Sequence, residues 1–263
     1  MKELLVRTLS GAVLVSVIVT CIFVSPWTCW ALALFIVGVG AFEMYRLMHL
    51  KSQWQLVFGE MMAVGVFVAF SLGLLTHQAL SNLMLLLPML PFLVALFSTT
   101  DDFKSVAACH FASVALLSLP CFFMLCLRES YSPKMLLLAF ILIWVNDTFA
   151  YLTGRLLGKH KLFERISPGK TIEGSIGGLV FTMAGVVVFS HYADWLSMKA
   201  AIGMGLIAAV IGTLGDLCES MLKRQAGVKD SGHLIPGHGG ILDRFDSILF
   251  SLPFYYIYLL LVL

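Results

Sequence analysis

An all-α polytopic membrane protein with about nine transmembrane helices and a cytoplasmic N-terminus is the fold class this sequence predicts. Three observations predict it. Hydrophobic residues fill 60% of the 263 positions and charged residues 12%, with a mean hydropathy of +0.95, where soluble domains carry roughly 25% charged residues. The apolar residues are gathered into runs long enough to cross a lipid core, which takes about 20 residues of helix. Lys and Arg are distributed unequally between the alternate connections of those runs.

The same figures exclude a soluble globular domain, and with it a nucleic-acid-binding one. A net charge of +2 gives no reason to expect a polyanionic partner. Low charge with 20 Phe excludes disorder. The six cysteines contain no CxxC pair, so neither a zinc site nor a disulfide framework is indicated; most read as small residues of a membrane core.

The candidate spans are 8–25, 27–44, 57–75, 79–98, 105–127, 134–154, 172–190, 200–218 and 243–263. Lys2 and Arg7 followed by an apolar run imitate a signal peptide. No small-x-small cleavage site follows and the next run also spans, so the first run is read as a retained helix. It shares the short turn Ser25-Pro26-Trp27 with the second, and the pair is read as two crossings rather than a re-entrant hairpin. With the N-terminus inside, only Arg128, Lys134 and Lys199 among the basic residues fall on the outside. The polar connections 155–171 and 219–242 then face the cytoplasm. Residues 1–130 read as a membrane scaffold with lipid or dimer contacts, and 131–263 as a catalytic transmembrane domain.

The first part is poor in chemistry. Glu43 and Arg46, at i, i+3 near a helix end, read as an interfacial ion pair. His77 and His110 have no ligand companions and read as structural. Asp101 and Asp102 read as solvated loop acids. The pattern changes at Asn146-Asp147, a polar pair inside or near the end of a span. A charge at the bilayer centre costs about 2.5–3.5 kcal/mol on insertion scales. Asp147 is therefore expected to face a polar cavity or a cation, unless the helix ends early and leaves it interfacial. Ser167-Pro168-Gly169-Lys170 then reads as a turn before a helix N-terminus, a good anion site because unpaired N–H groups and the dipole favour negative charge. The basic residues around it are equally explained by the positive-inside bias. Gly174, Gly177 and Gly178 allow close helix packing.

The richest stretch is 216–246, with five acidic residues, four basic ones, two histidines and a Gly-rich turn. Asp216, Glu219, Ser220 and Lys223 recur at i, i+3, i+4, i+7 and share one helix face. A surface Glu219–Lys223 pair explains two of them but not Asp216. Asp243 and Asp246 open the last apolar run. They favour a helix dipole, or converge with Asp216 on a hard cation bound through oxygen. Between them, Pro236-Gly237-His238-Gly239-Gly240 offers successive N–H groups that can cradle phosphate. His238 would bond phosphate or cap the turn, and His233 reads as structural.

Ser220-x-x-Lys223-Arg224-x4-Lys229-Asp230-x-Gly232-x2-Ile235-Pro236-x-His238-Gly239-Gly240-x2-Asp243-Arg244-x-Asp246 resembles the signature of the phosphatidate cytidylyltransferase (CDP-diacylglycerol synthase) family. Ser167-Pro168-Gly169-Lys170-Thr171-Ile172-Glu173-Gly174 is similar to a second segment of that family, with Gly169 where Lys is common. The good match covers about 140 to 263; the first half resembles the family only as a set of membrane helices. The resemblance implies an enzyme that joins CTP to phosphatidic acid, giving CDP-diacylglycerol and pyrophosphate with Mg²⁺, and a second cation such as K⁺. It implies metal at Asp216, Asp243 and Asp246, with Lys223 and Arg224 in the catalytic set. Asn146, Asp147, Ser167, Lys170, Ser220, Lys229, His238, Gly239, Gly240 and Arg244 would bind substrate. Expected partners are CTP, phosphatidic acid and membrane lipids, with no nucleic acid. The small-residue helix faces admit a homodimer, and the expected location is a bacterial inner membrane with the site facing the cytoplasm. The alternatives are CTP-dependent activation of another membrane lipid and an ion-coupled transporter. The second fits poorly with acids that cluster beside Lys, Arg and Gly.

Overall fold

The computed structural model describes residues 2–73, 89–98 and 102–263, with side chains from residue 5. Helices α1 (Lys2–Val24), α2 (Pro26–Leu47) and α3 (Gln53–Ser71) are followed by the short α4 (Leu90–Ala95). Then come α5 (Phe103–Ser130), α6 (Pro133–Leu157), a hairpin of β1 (Lys161–Phe163) and β2 (Ser167–Thr171), α7 (Ile172–Tyr192), α8 (Met198–Gln225) and α9 (Leu242–Val262). Among the described residues, eight helices are long and apolar enough to cross a membrane. The expected all-α polytopic membrane protein is therefore what the chain forms. The candidate span 79–98 lies mostly outside the described residues, as do His77 and Asp101.

The helix starts are written locally. Ser25 caps α2 in a reciprocal box with Thr28, with Pro26 in the first turn, which makes α1 and α2 two separate full-length helices. Ser52, Asp102, Ser132, Thr171 and Ser197 each accept a backbone N–H at the start of α3, α5, α6, α7 and α8. Asp102 is thus a cap and not merely a solvated acid. A π-turn interrupts α5 at Val114–Ser118 and α8 at Ala208–Gly212, the latter just ahead of Asp216.

The chain forms two compact units. The first comprises Met1–Leu125 with Gln225–Arg244, so it takes in most of the signature stretch as well as the expected scaffold. Its core is built on α2, where Ala33, Ile36, Val37, Ala41 and Tyr45 are buried, along with Phe67 of α3 and Leu117 of α5. One polar thread runs through it. Tyr45 Oη lies 2.7 Å from His110 Nδ1, and His110 Nε2 lies 3.0 Å from Gln55 Oε1. That gives His110 the structural role the sequence suggested.

The second unit comprises Cys126–Arg224 with Phe245–Leu263. Here α6 and α7 pack along their small residues. A Cβ on Gly174 would lie 2.7 Å from the Ala150 carbonyl, and one on Gly178 would lie 2.7 Å from Asn146 Oδ1. Helices α8 and α9 approach as closely at Gly215, where a Cβ would stand 2.5 Å from Phe250 Cβ and 3.0 Å from the Asp246 carbonyl. That crossing sets Asp216 beside the helix that carries Asp246.

Candidate active site

In the first unit, the signature stretch is held by two buried carboxylates. Asp243 Oδ2 accepts Ser231 N–H at 2.8 Å, Ser231 Oγ–H at 3.0 Å and Gly240 N–H at 2.8 Å. Glu43, on α2, accepts Ile241 N–H at 3.0 Å, Leu242 N–H at 2.9 Å and lies 2.9 Å from Ser231 Oγ. Only 4% of Glu43 is exposed. It therefore caps α9 from another helix: the orphan N–H groups of a helix start and its positive dipole end are answered by a carboxylate distant in sequence. The expected Glu43–Arg46 ion pair does not describe this residue. Arg46 instead lies over the Phe42 ring, 5.0 Å from its centroid.

This packing explains the glycines of the turn. A Cβ on Gly240 would come within 2.5 Å of both Glu43 carboxylate oxygens and of Ser231 Oγ, and one on Gly232 would come within 2.5 Å of Glu43 Oε1. Gly237 and Gly239 have φ of +74° and +86°, a region open mainly to glycine. The expected phosphate cradle of backbone N–H groups is corrected. Gly239 N–H donates to the Ile235 carbonyl at 3.2 Å and Gly240 N–H to Asp243, so both are occupied by the turn itself. The positive groups of the turn are the Lys229 and Arg244 side chains. Lys229, His238 and Arg244 line a cavity of about 420 Å³ together with Arg7 of α1, which sequence reasoning had placed only among the inside charges. Arg244 Nε donates to the His238 carbonyl at 2.8 Å, fixing the root of its guanidinium.

In the second unit, the face predicted on α8 is real, with Glu219, Ser220 and Lys223 buried and Asp216 partly exposed. Ser220 Oγ donates to Asp216 Oδ1 at 3.2 Å, and Lys223 pairs with Glu219. Both members of that pair are buried, so it is not the surface pair that spacing alone allowed. Asp216 also forms an ion pair with Lys170 Nζ at 2.5 Å. The Ser167–Lys170 segment is corrected from a turn to strand β2, antiparallel to β1, and the reversal falls at 164–166. Thr171 caps α7, and Glu173 in its first turn accepts the N–H groups of Lys159 and His160. The N–H groups that Glu173 ties down belong to the preceding loop. Lys170 is directed to a carboxylate on α8. Arg224 Nε donates to the Ile166 carbonyl at 3.1 Å, which ties the end of α8 to the hairpin.

Asp147, Asp216 and Glu219 all act electrostatically on Asp246. Asn146 is buried on α6; its Nδ2 donates to Asp147 Oδ1 at 3.5 Å, and its Oδ1, which lies toward Gly178 of α7, accepts no hydrogen bond among the described residues. Oxygen-only donors of this kind suit a hard cation. Among the described residues, however, no three His, Cys, Asp or Glu side chains converge closely enough to hold a metal ion. Lys170 and Lys223 stand as counter-ions to two of the acids. Asp216 and Asp246 carry oxygen donors of the kind a hard divalent cation takes, and the Lys170 ammonium already pairs with Asp216. Asp243 differs from these two, because one of its oxygens already takes three donors from the turn.

The sequence profile of the cytidylyltransferase family matches residues 5–262. The chain belongs to the cytidylyltransferase family. Within it, a 119-residue stretch is 52% identical to a phosphatidate cytidylyltransferase of Staphylococcus haemolyticus, covering 45% of this chain and 46% of the relative. The corresponding protein of Staphylococcus aureus strain COL is 51% identical over 119 residues, with the same coverage. That of Staphylococcus epidermidis is 48% identical over 130 residues, or 48% of each chain. The chain thus matches about half the length of these curated relatives. As a cytidylyltransferase-family member, it carries the signature on α8, the 225–244 segment and α9, where the sequence placed it.

Proposed function

We propose that the chain is a phosphatidate cytidylyltransferase, transferring the CMP moiety of CTP to phosphatidic acid and releasing pyrophosphate. The supporting observation is the cavity on the signature turn, lined by the Arg7, Lys229 and Arg244 side chains; in the second unit, Asp216 takes Ser220 Oγ–H and pairs with Lys170. Phosphoryl chemistry of this kind asks the protein mainly for positioning and charge neutralisation. A phosphate oxygen of the lipid attacks the α-phosphorus of CTP, and the bond from that phosphorus to the bridging oxygen of the β-phosphate breaks. The attacking oxygen is already ionised at neutral pH, so no strong general base is needed. That agrees with residues that are carboxylates, amines and guanidinium groups.

Mg²⁺, held at Asp216 and Asp246, would neutralise charge on the triphosphate, with K⁺ as a second cation near the Asn146 carbonyl oxygen. Lys223 and Glu219 keep the α8 face neutral and rigid. Lys170 and Arg224 tie the hairpin that carries Ser167 to the same helix. Lys229 and Arg244 make the turn side positive, with His238 beside them. The setting we infer is the inner membrane of a bacterium with the polar connections in the cytoplasm, where CTP is available.

The test is transfer of labelled cytidine from CTP into organic-extractable lipid by purified protein, with phosphatidic acid, Mg²⁺ or EDTA. Asp216→Asn is the variant of choice, because Asp243→Asn would also loosen the turn. Metal-dependent transfer abolished by Asp216→Asn in a folded protein supports the reading. Folded wild-type protein that leaves phosphatidic acid unmodified in several detergents would sink it.

A further inference from the structure

Helix α1 meets the signature turn along a single face. Arg7, Ser10 and Gly11, at i, i+3 and i+4, share it. Ser10 Oγ lies 2.8 Å from His238 Nδ1 and 2.9 Å from the Pro236 carbonyl. Gly11 leaves room for the imidazole, since a Cβ there would stand 3.4 Å from His238 Nε2. His238 is thereby committed to docking α1. One turn nearer the N-terminus, the Arg7 stem lies against Gly237, whose Cβ would come 2.8 Å from Arg7 Cγ. The docked helix thus delivers Arg7 to the 420 Å³ cavity, beside Lys229 and Arg244 and facing the single acid Asp230. Among the described residues, neither Arg7 nor Lys229 pairs with a carboxylate.

We propose that this cavity takes the phosphomonoester headgroup of the lipid substrate and that Arg7 is a binding residue for it. The proposal rests on reading the chain as a phosphatidate cytidylyltransferase. A phosphomonoester carries between one and two negative charges at neutral pH and three acceptor oxygens. An arginine fork flanked by two further cations matches it in charge and geometry. The level also matches. Arg7 sits at the start of an apolar span, the depth at which the phosphate of a bilayer lipid lies and at which a basic side chain meets it.

The experiment uses the full chain in mild detergent and follows thermal unfolding with dioctanoyl phosphatidate, dioctanoylglycerol, inorganic phosphate or CTP. Wild-type protein is expected to be stabilised by dioctanoyl phosphatidate far more than by dioctanoylglycerol or inorganic phosphate. Arg7→Ala should weaken the phosphatidate response about tenfold or more, as for loss of a charge-assisted hydrogen bond, and leave the CTP response unchanged. Arg7→Lys should restore part of it. Arg7→Gln keeps the stem against Gly237 and serves should Arg7→Ala not fold. In turnover, the KM for phosphatidate should rise while that for CTP stays put. A lost CTP response with an intact lipid response would assign the cavity to the nucleotide and overturn the proposal. Equal stabilisation by inorganic phosphate, or unaltered phosphatidate binding in both Arg7→Gln and Arg7→Ala, would also overturn it. Arg7-dependent phosphatidate binding without any cytidine transfer would leave this inference standing and remove the proposed reaction.

Discussion

The Glu43 carboxylate accepts the backbone N–H of Leu242 at 2.9 Å, across 199 positions of sequence. It joins the second helix of the chain to the first turn of the last one. Removing it leaves Ile241 N–H and Leu242 N–H short of an acceptor in a buried place. Each unsatisfied buried donor costs about 1–3 kcal/mol. Glu43→Ala is therefore expected to destabilise the protein by at least about 2 kcal/mol, read as a lower unfolding temperature in detergent, and to abolish cytidine transfer. Glu43→Gln, which exchanges one acceptor oxygen for a donor, should fall between. A Glu43→Ala protein with wild-type stability would mean the carboxylate does not hold the turn.

Glycine positions separate a packed turn from an open strand. Gly240→Ala places a methyl within 2.5 Å of Glu43 and Ser231, whereas a Cβ on Gly169 meets nothing within 4 Å. Overpacking a filled site costs about 1–3 kcal/mol. Gly240→Ala should lose transfer and stability together, while Gly169→Ala should change unfolding temperature and rate little. Comparable losses in both would contradict the packing described.

At the crossing of α8 and α9, Gly215→Ala would push its methyl into Phe250 Cβ and the Asp246 carbonyl. Neither of those can turn aside as a flexible side chain would. The expected result is a folded protein whose Mg²⁺ requirement for transfer rises several-fold, because Asp216 and Asp246 are moved apart. Titrating Mg²⁺ against rate tests this, and an unchanged requirement would separate the crossing from the metal.

Lys170 and Asp216 are each about a quarter exposed, so their pair is partly screened. A double-mutant cycle of Lys170→Met with Asp216→Asn on thermal unfolding should give a coupling of about 1 kcal/mol or less. If the ammonium occupies the place a cation would take at Asp216, Lys170→Met should lower the Mg²⁺ concentration giving half-maximal transfer. A raised requirement would assign Lys170 to nucleotide and not to this exchange.

The spans were legible because lipid leaves the backbone few options; the caps were not, and Asp102, for one, reads only as a loop residue. The α8 face was legible because its acids recur at helical spacing. Glu43 was not. Its neighbour Arg46 offered a local partner, whereas its actual donors lie in residues 231–242. The reasoning applied to Asp147, that a carboxylate amid apolar residues requires a partner, would have flagged Glu43 just as well. The turn at Ser167–Lys170 misread for a different reason: Pro and Gly signal reversal, but pairing with Lys161–Phe163 keeps the segment extended. Occupation of the Gly239 and Gly240 N–H groups was invisible because glycine sequence fixes where a backbone can bend and not what it bonds.

The distance in sequence between Glu43 and its donors also orders events in time. A ribosome releases α2 long before residues 231–242 exist, so for most of synthesis the carboxylate stands in the early helices without the groups that later surround it. The first unit cannot reach its final arrangement until residues 225–244 have been made. A nascent chain halted before α9 should therefore hold its early helices in a looser, protease-sensitive state. Arrival of residues 231–242 would then tighten those early helices.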